Sequence, residues 1–241
     1  MDFTLSKEHE MARTLFREFA EKEVKPLAQE VDETEEFPRA TVEKMAKLGF
    51  LGIPVPKEYG GQGCDPLTYV MCVEELAKVC GTTAVIVSAH TSLCCDPIMH
   101  YGTEEQKQRY LPKMTAGQWG GSMCLTEPGA GTDVGNLSTK AVRQPDGTFR
   151  IKGTKMFITG GDQDLTENII HPVLARIEGA PAGTKGISLF VVPKFLVNAD
   201  GSLGARNDVR CAGIEHKLGI HGSPTCIMVY GDEGGAVGYL V

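Results

Sequence analysis

Met123-Cys124-Leu125-Thr126-Glu127-Pro128-Gly129-Ala130-Gly131-Thr132-Asp133 is the stretch on which the reading of this chain turns. An apolar run ends in a Thr-Glu-Pro turn and passes into small residues. Gly129, Ala130 and Gly131 let backbone N–H groups come close to a ligand. Successive exposed N–H groups form an anion-binding concavity of the kind that suits a pyrophosphate. Taken alone, the pattern describes an ordinary tight turn between strands better than a ligand site.

A second stretch follows downstream: Lys152-Gly153-Thr154-Lys155-Met156-Phe157-Ile158-Thr159-Gly160-Gly161. It reads as a strand. With a side-chain period of two, Phe157 and Thr159 should share a face. An aromatic there could pack on a flat ring, and a hydroxyl could bond a ring heteroatom. A strand with one inward phenylalanine is the plain alternative.

The two stretches lie in the glycine-rich half of the chain. Eight of the 29 glycines precede Trp119 and 21 follow it, so the chain changes texture there. Before it, Met11, Ala12, Leu15, Phe16, Phe19 and Ala20 recur at helical spacing from Ser6 onward. Pro26 predicts a kink. A second helix is expected from Pro38 to a stop at Gly49, a loop over 57–63, and a third helix from Pro66. Two more are expected around 83–100 and 104–116, the first apolar on most faces and therefore buried. After Trp119 the pattern alternates. Pro145-Asp146-Gly147 between two alternating runs is a hairpin signal, and strands are expected around 169–177, 186–192 and 225–230. The fold class is α+β: an all-helical domain over 1–118, then a small antiparallel β-barrel or sandwich domain over 119–241.

Composition narrows the functions. Apolar residues make up 41% and charged residues 23%, enough for a globular core. The formal charge of −7 is spread along the chain, and no basic stripe points to nucleic acid. The longest apolar runs, such as 187–193, are too short to span a membrane. The Met1-Asp2-Phe3-Thr4 start reads as neither a signal nor a transit peptide. The eight cysteines contain no C-x-x-C pair, and Cys64, Cys72 and Cys80 do not have zinc-site spacing. Cys94 and Cys95 read as small buried hydrophobes, a vicinal disulfide being the alternative. All eight are expected to be reduced thiols in a cytoplasm. The six scattered histidines suggest no metal site.

In this order, the two stretches resemble the flavin-binding segments of the acyl-CoA dehydrogenase family. That family's segments read roughly (aromatic or apolar)-x-x-Thr-Glu-Pro-x-x-Gly-(Ser/Thr)-Asp and Lys-x-(Trp/Phe)-Ile-Thr. The likeness covers the whole chain. Gly60-Gly61-Gln62-Gly63, Val73-Glu74-Glu75-Leu76 and Gly102-Thr103-Glu104-Glu105-Gln106-Lys107 resemble the family's helical domain, and 217–225 resembles its Lys-x-Gly-x-x-x-Ser-x-Thr segment. The first 118 residues look like short-chain, butyryl-type members. From Gly161 the chain looks like a longer branch that includes methylmercaptopropionyl-CoA dehydrogenases.

The resemblance implies FAD as cofactor and α,β-dehydrogenation of an acyl-CoA thioester to the 2-enoyl-CoA, with the protein orienting the reactants and excluding water. It places Met123, Leu125, Thr126, Gly131, Thr132, Phe157, Ile158 and Thr159 at the cofactor, and Thr132 also at the acyl-CoA. Phe157 stands where tryptophan is commoner, keeping an aromatic wall but losing an indole N–H. It implies an electron-transferring flavoprotein as acceptor and a homo-oligomer for the full-length form. The family's C-terminal helical bundle, which supplies the catalytic glutamate, has no counterpart in 1–241, so no catalytic residue is expected in this span; Glu127 reads as structural. Two alternatives stay open: a non-catalytic flavin- or CoA-binding subunit completed by a partner chain, and a relative of the acyl-CoA or nitroalkane oxidases.

Overall fold

A computed structural model describes residues 4–241; Met1–Phe3, read above as part of the chain's start, lie outside the described residues. Seven α-helices come first: α1 (Lys7–Phe19), α2 (Ala28–Thr34), α3 (Arg39–Lys47), α4 (Pro66–Ala77), α5 (Gly81–His90), α6 (Asp96–Tyr101) and α7 (Glu104–Thr115). Their ends follow from local chemistry. Ser6 caps α1 by accepting from the His9 N–H, and Asp65 caps α4 with Pro66 at the first helical position, where its missing N–H costs nothing. Pro26 cannot donate to a helical ladder, and the chain between α1 and α2 passes through a π turn and a 3-10 turn. The expected helix over 83–100 is α5 and α6 joined by a π turn at Thr91–Cys95. Half of its residues are buried and most of the rest half-buried, although Leu93 and His100 face out.

Thr103 and Gln106 form a reciprocal capping box at the start of α7, and Gln106 Nε2 also donates to the Leu240 carbonyl at 2.9 Å. Thr103→Ala is therefore expected to lower stability by about 1 kcal/mol, read as a shift of the urea midpoint at constant slope. No shift would show that the cap contributes nothing.

Ten strands follow: β1 (Trp119–Gly121), β2 (Lys140–Arg143), β3 (Phe149–Thr159), β4 (Asn168–Ile177), β5 (Ile187–Pro193), β6 (Phe195–Val197), β7 (Leu203–Arg206), β8 (Val209–Ile214), β9 (Thr225–Tyr230) and β10 (Ala236–Leu240). The order β1-β4-β5-β10-β3-β9-β8 is mainly antiparallel, with β2 pairing both β3 and β4. That double pairing closes β2, β3, β10, β5 and β4 into a ring, which leaves no free edge among those five strands. Two pairings, β1 with β4 and β2 with β4, are parallel. The expected hairpin is β2–β3, and Gly147 (φ +86°) supplies the left-handed turn position.

Three apolar clusters hold these parts. Phe16 and Phe19 pack edge-on against Phe50 at 5.2 and 5.0 Å within the helices. Phe149, Phe190 and their neighbours fill the barrel. The third cluster joins Tyr110, Leu111 and Met114 of α7 to Trp119, Ile170 and Val191 of the strands. Among the described residues no helix is long and apolar enough to cross a membrane.

Candidate functional site

Residues 122–124 run along β4, the Ser122 N–H donating to the Ile170 carbonyl. The Cys124 N–H donates to the Pro172 carbonyl at 2.8 Å and its carbonyl accepts from the Leu174 N–H at 3.1 Å. Both bonds of Cys124 point toward β4, so the strand period turns Met123 and Leu125 the other way. Their side chains are half-buried. Glu127 and Ala130 then exchange backbone bonds at 3.1 Å each, closing the tight turn around Pro128. Gly131 and Thr132 emerge exposed beyond it.

Strand β3 brings the second stretch against the first. The Met156 N–H donates to the Thr126 carbonyl at 2.8 Å, Lys155 Nζ donates to the Leu125 carbonyl at 3.0 Å, and Ser122 Oγ donates to the Thr159 carbonyl at 2.8 Å. Residues about thirty positions apart in the chain are thus laced together at three points.

The expected alternation of Phe157 and Thr159 does not hold as read. The β3–β9 register slips between Lys155, opposite Met228, and Ile158, opposite Cys226. An extra residue sits in that interval, as in a β-bulge, which re-aims the side chains. Phe157 has φ +59°, a conformation that costs an aromatic residue of order 1–3 kcal/mol, and its side chain is 57% exposed. Ile158 is buried, so it offers a ligand only its backbone, while Thr159 is half-buried.

Glycines 129 and 131 have open space where a side chain would stand: an added Cβ meets nothing within 4 Å at either, and neither has a positive φ. Neither packing nor backbone conformation requires glycine there, which leaves room for a ligand. A cavity of about 270 Å³ opens beside the end of β3, lined among others by Val42, His90, Trp119, Gly121, Thr159 and Gly160. Of the eight residues singled out from the sequence, Thr159 lines that cavity; the other seven do not.

Glu127 carries no free basicity. Its carboxylate accepts from the Ser138 N–H (2.6 Å) and Oγ (2.7 Å), the Thr139 N–H (3.0 Å) and Oγ1, and Lys155 Nζ (2.9 Å). A carboxylate has about four lone-pair directions, and five donors fill them. Burial, the largest influence, opposes its charge, but the bonds from Thr139, Lys155 and Ser138 outweigh it and hold the group down at about 2. Lys155 itself is pulled below the ordinary lysine range by burial, with Glu127 acting against that pull. Lys155 stands within the second motif but has no role legible in the sequence, and nothing in the sequence points to Ser122, Ser138 or Thr139. A wholly buried lysine is exceptional unless paired, and its partner lies 28 residues away.

His171 was likewise missed. It is buried with Nδ1 3.0 Å from the Val192 carbonyl and Nε2 2.7 Å from the Gly161 carbonyl, and so ties the loop after β3 to β4 and β5. Burial lowers its pKa.

Comparison with known proteins assigns this architecture. Residues 6–118 match the model of the acyl-CoA dehydrogenase N-terminal domain, and residues 122–232 match the model of the acyl-CoA dehydrogenase middle domain. The chain is 48% identical over 232 residues to the short-chain-specific acyl-CoA dehydrogenase of Clostridium acetobutylicum, covering 96% of this chain and 57% of that protein. It superposes with TM-score 0.84 and 36% identity on a chain from the electron transferring flavoprotein structure of Acidaminococcus fermentans, covering 99% of this chain and 60% of the other. It superposes with TM-score 0.80 and 30% identity on an acyl-CoA dehydrogenase complexed with FAD from Bacillus anthracis, covering 97% and 36%. The chain spans little more than half the length of the Clostridium relative. With two consecutive domain models accounting for nearly all of its residues, the chain belongs to the acyl-CoA dehydrogenase family.

Proposed function

We propose that this chain forms the helical domain (1–118) and the flavin- and acyl-CoA-binding β-domain (119–241) of an FAD-dependent acyl-CoA dehydrogenase. The observation that carries the reading is the lacing of the two stretches at Thr126–Met156 and Ser122–Thr159, beside two glycines with open space. The residues fit the isoalloxazine ring and the pyrophosphate of FAD. Thr126 and Thr159 bring hydroxyls, Phe157 an exposed aromatic face, Met123, Leu125 and Ile158 backbone, and Gly131 and Thr132 an open turn, Thr132 also facing the acyl-CoA. Bound there, FAD would supply the hydride-accepting chemistry for an acyl thioester, and these residues would orient the ring and the thioester and keep water away. The similarity to the Clostridium enzyme supports short acyl-CoA substrates, and the Acidaminococcus structure supports an electron-transferring flavoprotein as acceptor, with the whole enzyme a homo-oligomer.

Titration of the purified chain with FAD, followed by flavin fluorescence, tests this. Saturable binding is expected. Thr126→Ala and Thr159→Val should each weaken it about threefold to tenfold, the value of one hydrogen bond. Absence of any saturable change in the unsubstituted chain would overturn the reading.

A further inference from the structure

We propose that the buried Glu127–Lys155 pair is a positioning device for the cofactor site, turning the Thr126 amide outward and setting the two laced stretches in register. This rests on the flavin reading above and deepens it. Lys155 is wholly buried and Glu127 nearly so. Desolvating two charges is expensive, and an apolar pair of similar volume is often as stable or more so. Stability alone therefore gives no reason for an ion pair at this place, whereas its directions do.

Lys155 stands on β3 just before the bulge that carries Phe157. Its ammonium reaches the Leu125 carbonyl at 3.0 Å and Glu127 Oε1 at 2.9 Å. A trans peptide is planar, and its C=O and N–H point in opposite directions. Drawing the Leu125 carbonyl inward to Lys155 therefore turns the Thr126 N–H outward, away from the protein interior. The next carbonyl, that of Thr126, is taken by the Met156 N–H. Glu127 anchors the other end of the pair: through Ser138 and Thr139 it fixes the tight turn to the residues entering β2. One buried carboxylate and one ammonium thus connect the turn, the bulged strand and the start of β2. The backbone that meets the cofactor is held from behind by groups that do not touch it.

The test uses the whole chain and the neutral, shape-conserving double variant Lys155→Met/Glu127→Gln, with Ser138→Ala as a milder second variant. Two readouts separate positioning from bulk stability. The first is hydrogen exchange of single amides without cofactor. Met156, protected by the Thr126 carbonyl, should exchange at least about tenfold faster in the double variant, as for loss of one buried hydrogen bond. Leu174, bonded to the Cys124 carbonyl on the β4 side, should keep its rate. Ser138→Ala should move Met156 in the same direction by a smaller factor. The second is the FAD dissociation constant, which should rise about tenfold or more, with altered fine structure in the bound flavin's absorption band. Unchanged Met156 protection in a folded double variant overturns the proposal. So does uniform loss of protection at every amide in both variants, because the pair would then serve only global stability. Failure of the unsubstituted chain to bind FAD would sink the flavin reading while the exchange comparison still decides the positioning role.

Discussion

Mixed anaerobically with butyryl-CoA, longer acyl-CoAs or a thioether acyl-CoA, the FAD-loaded polypeptide of residues 1–241 is expected to keep its oxidised flavin band. Removing an α-proton needs a base within hydrogen-bond reach of it. Two carboxylates adjoin the proposed cofactor residues in sequence: Asp133 is exposed and accepts from Asn136 Nδ2, and Glu127 is buried with its oxygens occupied by Ser138, Thr139 and Lys155. With its pKa held down at about 2, it is a very weak base at neutral pH. Loss of a general base costs roughly 10²–10⁴ in rate, so bleaching by this polypeptide should be slower than in a full-length relative by at least that factor. Rapid bleaching with any of these thioesters would refute the assignment of Glu127 to a structural role if Glu127→Gln then abolished it. Persistence of bleaching in that variant would place a base elsewhere in 1–241.

Acid should destabilise the fold steeply. In the helical half, Glu75 is buried beneath Arg13, Arg17 and Lys78. Burial is the largest influence and opposes its charge, but the bonds from Arg17, Lys78 and Arg13 prevail and bring it to about 2. Glu127 is held at the same value by its own donors. For both, the folded pKa lies below the ordinary 4.5, so their contribution is fully present above about pH 4.5 and is lost as the pH falls toward 2. A shift of this size corresponds to roughly 3 kcal/mol for each group, and the two together rival the stability of a typical domain. His90 acts in the same direction at higher pH. Burial lowers its pKa from 6.5 to about 4, so the unfolded chain takes up a proton before the folded one does, and stability declines as the pH drops through that interval. His221 works oppositely: its pKa is raised, chiefly by its bond to the Asp32 carbonyl, but it is only half-buried, and solvent keeps such surface effects small. Urea midpoints measured from pH 7 to pH 3 should fall throughout and most steeply below 4.5. Glu75→Gln should start lower and flatten the steep part. Midpoints that stay level between pH 5 and pH 3 would show that these carboxylates are not held as described.

Much of the fold could be read from local pattern. The helices announced themselves through the apolar spacing from Ser6 onward and through Pro38 and Pro66, and the β2–β3 hairpin through Asp146-Gly147. Strands β1, β6, β7, β8 and β10 did not. Strands β6 and β7 are three and four residues long, too short for alternation to show. In β8 a register shift between Cys211 and Gly213 breaks the period of two, and β10 follows directly on the glycines at 234 and 235. The pairing of β2 with both β3 and β4 depends on contacts distant in sequence. At the site, the two stretches could be read as segments suited to a ligand. Their lacing could not, because it depends on Lys155 and Ser122 reaching partners about thirty residues away, and the bulge at Phe157 overrode the simple strand period.

The cluster that joins Tyr110, Leu111 and Met114 to Trp119, Ile170 and Val191 bears on how the molecule comes apart. The change from helices to strands near residue 118 is a change of architecture, but the apolar contacts run straight across it. Detaching either half would strip an aromatic ring, Trp119 or Tyr110, of its buried surroundings and expose it to water. The two halves are therefore expected to unfold as one cooperative unit, and a cut made at the visible seam would pass through the middle of a core.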